Sequence, residues 1–170
     1  MAVNDINQGL NYITYGLYIV TTCEGEKKNG LIVNTVFQVT ADPAQMAISV
    51  NKNSLTHDMI LKSRVFAAMP LEQNTPLPFI GIFGFRSGRT FDKLAKVPYK
   101  TGFLGCPIVV EHTLSYMEVE VSQTVDMGTH TLFIGKVKDA GVLNPEGIAL
   151  TYDYYHNVIK GKTPAGATHL

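Results

Sequence analysis

Charge is scarce in this sequence and cancels: only 16% of its 170 residues are Asp, Glu, Lys or Arg, fourteen basic against fourteen acidic. An average globular domain carries ~25%. Without net positive charge there is no sign of the concentrated field that displaces counterions from nucleic acid, so a nucleic-acid partner is not expected. The low charged fraction, beside 45% hydrophobic residues, leaves apolar surface to be covered by another chain. An oligomer is the expectation.

Cysteine is nearly absent as well. Cys23 and Cys106 are too few and too far apart for a disulfide framework or a four-ligand zinc site, and read as buried or idle thiols. No apolar run reaches the ~20 residues of a membrane span, and the start Met1-Ala2-Val3-Asn4-Asp5 lacks the positive flank and apolar stretch of a signal peptide, so the reading is no membrane and a cytoplasmic location. Phosphate-loop, zinc-protease, nucleophile-elbow and dinucleotide-binding glycine motifs are all missing. The common ATPase, hydrolase and Rossmann readings lose their support.

What is present is strand character. Ile13–Thr22 is rich in β-branched and aromatic residues, which suit a pleated, half-buried surface. Asn29-Gly30 is a hairpin signal because both residues tolerate positive φ. Leu31–Val39 reads as one strand, with Leu31, Val33, Phe37 and Val39 on one face, and Gln45–Asn51 as the next. Three strands with short turns predict an antiparallel meander. Asn53 or Ser54 caps a short helix through Leu61, and Arg64–Leu71 returns to strand. Phe79–Phe85 is open between helix and strand. Ser115–Asp126, with Met117, Val119, Val121 and Val125 inward, and Thr131–Val137 are two further strands, the second apolar on both faces and so central or covered. Strands with helices inserted among them favour a barrel or sandwich over a parallel doubly wound sheet. Residues 1–159 form one domain; 160–170 have a linker's composition.

Three polar clusters stand out. Asn34, Thr35 and Gln38 interrupt an apolar strand and must be satisfied by sheet neighbours or by a ligand. Ser49 through His57 runs from a strand end into a helix N-terminus, where free N–H groups suit a phosphate as well as an ordinary capped turn. Gly84-Phe85-Arg86-Ser87-Gly88-Arg89 places two guanidinium groups on flexible backbone, fit for an anion or for solvent. Together, and without a nucleophile–base set, they fit a nucleotide-like cofactor better than a hydrolytic site.

Four segments then resemble a known family: Gly16-Leu-Tyr-Ile-Val-Thr-Thr, Asn29-Gly-Leu-Ile-Val-Asn-Thr-Val-Phe-Gln-Val-Thr, Ala47-Ile-Ser-Val-Asn-Lys-Asn-Ser-Leu-Thr-His and Gly128-Thr-His-Thr-Leu-Phe-Ile-Gly. They are similar, in the same order, to the flavin reductase-like FMN-binding split barrels, and most similar to the flavoprotein module of high-molecular-weight rubredoxins. The likeness runs from about Ile13 to Thr163. It implies a mainly β, six-stranded antiparallel Greek-key split barrel with short inserted helices, homodimeric, with FMN near the dimer seam.

By the resemblance, Asn34, Thr35 and Val36 line the flavin ring. Ser49, Val50, Asn51, Lys52, Ser54 and His57 meet the ribityl chain and phosphate, and Phe85, Arg86, Ser87 and Arg89 form a second phosphate loop. His130 is expected on the nicotinamide side, with no obligate catalytic side chain and no metal. The function implied is an oxidoreductase passing electrons from NAD(P)H or a reductase partner through FMN to a flavin or redox protein. An electron-transfer flavoprotein without NAD(P)H activity, and a non-catalytic FMN binder, remain as alternatives. The rubredoxin-bearing relatives carry two Cys-x-x-Cys pairs beyond such a tail and this sequence has none, so the resemblance implies a rubredoxin in trans or none.

Overall fold

Alternating burial along the strands sets the architecture. A computed structural model describes residues 5–168, opening with the short helix α1 (Ile6–Leu10), none of whose residues is buried. Its main sheet contains β1 (Tyr18–Glu24), β2 (Lys27–Val33), β3 (Val36–Ala41), β4 (Ala44–Asn51), β5 (Val65–Pro70), β8 (Ser115–Asp126) and β9 (His130–Val142), while β6 (Tyr99–Thr101) and β7 (Pro107–Val109) pair apart. The order is β2-β1-β5-β8-β9-β4-β3, antiparallel throughout.

One face of this sheet curls around its own core. Val20, Val33, Ile48, Phe66, Val119 and Phe133, drawn from six strands, pack together with Ile60 of helix α2 (Leu55–Ser63). Burying each such side chain contributes roughly 1.5–3 kcal/mol. On the other face of β1 and β5, Ile19, Ala67 and Met69 pack under helix α3 (Leu77–Gly84), the β6–β7 hairpin and Tyr155 of a π-helical turn (Tyr154–Val158). Strands buried on both faces explain why these segments read as continuous apolar runs. The β9 segment is central, as its two apolar faces required.

Several expectations need correction. The first hairpin turns at Gly25-Glu26, with Gly25 at φ 60°, not at Asn29-Gly30, which lie inside β2 opposite Thr22 and Thr21. Gly30 is there because a Cβ would sit 3.0 Å from the Val20 carbonyl. The expected strand Leu31–Val39 is two strands, broken at Asn34-Thr35, so the main sheet has seven strands. The meander fails at the same place: β2 and β3 occupy opposite edges. Phe37 and Val39 on β3 are exposed. Val125 is exposed too, because the end of β8 from Ser122 to Asp126 is exposed on both faces. The Phe79–Phe85 segment belongs to α3, where Pro78 in the first turn pre-sets φ. The polar segment after Arg89 hides the β6–β7 hairpin.

Candidate functional site

Where β2 gives way to β3, the barrel wall opens on a cavity of about 430 Å³. Leu31, Val33 and Asn34 form one side; Ser49, Asn51 and Ser54 come from the β4–α2 junction; Phe83 through Ser87 come from the end of α3. His130, at the start of β9 opposite Asn51, and residues 162–168 complete the wall. Its lining is largely apolar with convergent polar groups, the usual composition of a small-molecule site.

Asn34 carries the most pointed signal. It is 6% exposed, its Oδ1 accepts from the Thr35 hydroxyl at 3.1 Å, and its Nδ2 has no hydrogen-bond partner. A buried amide left so costs about 1–3 kcal/mol. A ligand acceptor in the cavity would remove that cost.

The other expected residues divide. Ser49, Asn51, Ser54, Phe85, Arg86, Ser87 and His130 join Asn34 at the cavity. Ser54 is the N-cap of α2, its hydroxyl accepting from His57 N at 3.1 Å. Arg86 lies over the Phe91 ring at 4.9 Å, which orients its guanidinium. His130 Nδ1 lies 2.9 Å from the Thr129 hydroxyl. Burial pushes its pKa down, against a bond to the Gly166 backbone, so the ring is neutral at pH 7.

The remaining six do not line the cavity. Thr35 donates its hydroxyl to Asn34 Oδ1, and its carbonyl accepts from Ser49 N at 3.1 Å. Val36 packs against the barrel core and Val50 is wholly inside it. Lys52 pairs with Asp126 at 2.5 Å. His57 is buried, its Nε2 2.8 Å from Thr131 Oγ1. Arg89 pairs with Asp58 at 2.6 Å, which holds that carboxylate below its usual range, and lines a separate open groove with Asp58, Lys62 and Tyr99.

Two features went unread in the sequence. Lys93 is a cavity residue only 5% exposed, donating to Gly30 O at 2.8 Å and Phe83 O at 3.0 Å. Burial lowers its pKa from 10.5 to about 8. Nothing in the run Asp92-Lys93-Leu94 distinguishes it from a solvated lysine. The tail is the other: Tyr155 Oη donates to Lys162 O at 2.8 Å and Asn51 Nδ2 to Gly166 O at 2.7 Å. Its small residues read as a linker but permit close packing. Among the described residues no group of three or more His, Cys, Asp or Glu could hold a metal ion, and no helix is long and apolar enough to cross a membrane.

Residues 10–158 match the flavin reductase like domain. The chain belongs to that family. It is 48% identical over 160 residues to the high molecular weight rubredoxin of Moorella thermoacetica, covering 94% of this chain and 69% of that protein. It is 47% identical over 156 residues to the ferric-chelate reductase (NAD(P)H) of Archaeoglobus fulgidus, covering 92% of each. In structure it resembles the NADH:FAD oxidoreductase SgcE6 of Streptomyces globisporus, with TM-score 0.76, 21% identity and coverage of 84% and 83% of the two chains. It also resembles an FMN-binding protein from Thermus thermophilus, with TM-score 0.75, 25% identity and coverage of 89% and 87%. Flavin reductase-like membership makes the chain a flavin-family oxidoreductase, and the mainly β barrel with short helices is the family's fold.

Proposed function

We propose that the cavity binds FMN and that the protein passes electrons from NAD(P)H, or from a reductase partner, to a flavin or redox-protein acceptor. The observation that carries this reading is Asn34 Nδ2, a buried donor without a partner at the wall of a flat-ligand-sized cavity. A flavin ring is an apolar plate with an acceptor-rich edge, which suits that donor and the apolar side chains around it.

Asn34 would hold the polar edge of the ring, with Thr35 fixing the amide's orientation. Ser49 and Asn51 offer hydroxyl and amide groups to a ribityl chain. Arg86, Ser87 and Lys162 give donors and positive charge for a phosphate, beside the α2 N-cap Ser54. His130, neutral at pH 7, offers a polar contact where a nicotinamide would approach. Lys52, His57 and Arg89 are engaged by Asp126, Thr131 and Asp58 away from the cavity, and on this reading they do not touch the phosphate. When bound, the flavin supplies the redox chemistry, and the protein supplies orientation and access.

A homodimer fits the sheet's outer face. Phe37 and Val39 on β3 and Val125 on β8 are exposed, and Phe37 lies beside Ala47, itself beside Ile134. Light scattering on Phe37→Asp against the native protein checks this: a dimer in both would remove Phe37 from the seam.

An absorption spectrum of the purified protein reloaded with FMN, followed by stopped-flow mixing with NADH and NADPH, tests the whole reading. Stoichiometric yellow protein that bleaches rapidly supports it; no FMN uptake defeats it. Uptake without bleaching by either nicotinamide favours the electron-transfer reading, which the 48% identity to a protein named a high molecular weight rubredoxin supports. The acceptor would then be a rubredoxin.

A further inference from the structure

We infer that residues 162–168 form a strap that makes the flavin a retained cofactor and not a freely exchanging substrate. This rests on the flavin reading of the cavity. The strap itself is read from how the segment is tied down.

The chain leaves the π-helical turn through Gly161, whose N–H donates to Tyr155 O at 2.8 Å. Gly161 faces the Tyr155 ring so closely that a Cβ would overlap it. Lys160, at φ 55°, redirects the backbone. From there every residue from Lys162 to Thr168 lines the cavity.

Four ties hold this stretch. Tyr155, 4% exposed and part of the outer core, donates its hydroxyl to Lys162 O at 2.8 Å. Thr163 Oγ1 lies 3.0 Å from Tyr152 Oη and 3.1 Å from His156 Nε2, so one hydroxyl joins both side chains. At the far end Asn51 Nδ2, on the opposite wall, donates to Gly166 O at 2.7 Å. The segment therefore spans from the π-helical turn to the end of β4.

Its residues suit that task better than they suit a linker. Pro164 fixes one φ and accepts from Ala167 N at 3.3 Å, closing a turn. Gly166 sits at φ 85°, and a Cβ there would stand 2.8 Å from Asn51 Nδ2, so the latch requires glycine. Of the four ties only the Asn51–Gly166 latch is exposed, and an exposed bond without a large apolar footing opens locally at low cost. Such an element can release and reseat while the barrel stays folded, and anything beneath it leaves at the opening rate.

The test compares FMN release from the native full chain with release from Thr163→Val and Gly166→Ala, followed by recovery of free-FMN fluorescence after dilution. Deuterium uptake in residues 162–168 is measured with and without FMN. Slow native release, about tenfold faster (roughly 1.4 kcal/mol) in each variant, with FMN protecting the segment in the native chain, supports the strap. Normal FMN uptake with native and variant release equal overturns the strap and leaves flavin binding standing, as does native release complete within the mixing time. Failure of the native chain to bind FMN at all sinks both.

Discussion

His57 Nε2 and Thr131 Oγ1 lie 2.8 Å apart in the interior, joining the first turn of α2 to β9. The histidine is 4% exposed and also stands edge-on to Phe133. Thr131→Val keeps the shape and removes the partner, leaving a buried ring nitrogen unsatisfied. Urea unfolding should show a loss of about 1–3 kcal/mol. FMN affinity of the folded protein should stay within about twofold; a large affinity loss at full stability would return His57 to the phosphate.

The rim cations separate in the same way. Arg86→Ala and Lys162→Ala should each weaken FMN by about tenfold or more while changing riboflavin little, since charge-assisted contacts to phosphate are worth roughly 1.5–3 kcal/mol. Lys52→Ala and Arg89→Ala remove exposed ion pairs, worth about 0–1 kcal/mol, and should spare both ligands. Fluorescence-quench titrations with the two flavins decide it. Equal losses for FMN and riboflavin at Arg86 would mean that the guanidinium does not meet phosphate.

How much of this was legible follows from where the signal sits. Local chemistry read true: Ser54 caps α2, and Ser115–Asp126 is β8 to the residue. The cluster Asn34-Thr35 was visible as polar groups in an apolar strand, but that it breaks the strand depends on β2 and β3 pairing with different partners, information held far away in the chain. A sequence does not display Asp126 and Asp58 beside Lys52 and Arg89, so it does not show that two cations suited to a phosphate already have carboxylate partners. Lys93 is buried only because α3 and β2 converge over it. The ties of the Thr-Pro-Ala-Gly tail are hidden for a related reason: small residues give a linker's composition and equally permit close approach to a wall.

Lys93 makes a pH prediction. With its folded pKa lowered to about 8 from 10.5, the unfolded chain binds more protons between those values, so its contribution to stability rises with pH across that window. A neutral amine still has two N–H donors for the Gly30 and Phe83 carbonyls. The stability of the native protein relative to Lys93→Met should therefore grow from pH 7.5 to pH 10.5 in matched denaturant series. A flat or falling difference would show that the lysine stays charged in the fold.

Glu118 is wholly buried on β8 and accepts from Phe103 N at 2.6 Å and Leu104 N at 3.0 Å, fastening the turn between β6 and β7. Glu118→Gln turns one acceptor into a donor facing an N–H. The expected loss is about 1–3 kcal/mol, with hydrogen exchange quickening first at Phe103 and Leu104. Unchanged protection there would mean that the hairpin holds without the carboxylate.

The break at Asn34-Thr35 reaches beyond the site. Strands β2 and β3 are separated by two residues in the chain yet sit at opposite margins of a seven-strand order. The two-residue link holds these margins together, so the pairings between them, β1 with β5 and β4 with β9 among them, are made by segments distant in the chain and close the ribbon on itself. The pocket at that link is lined by β2, β4, α3, β9 and the tail together, so it exists only where all of them have met. A ligand that fits there recognises completion, and by mass action its concentration sets how far the melting temperature rises.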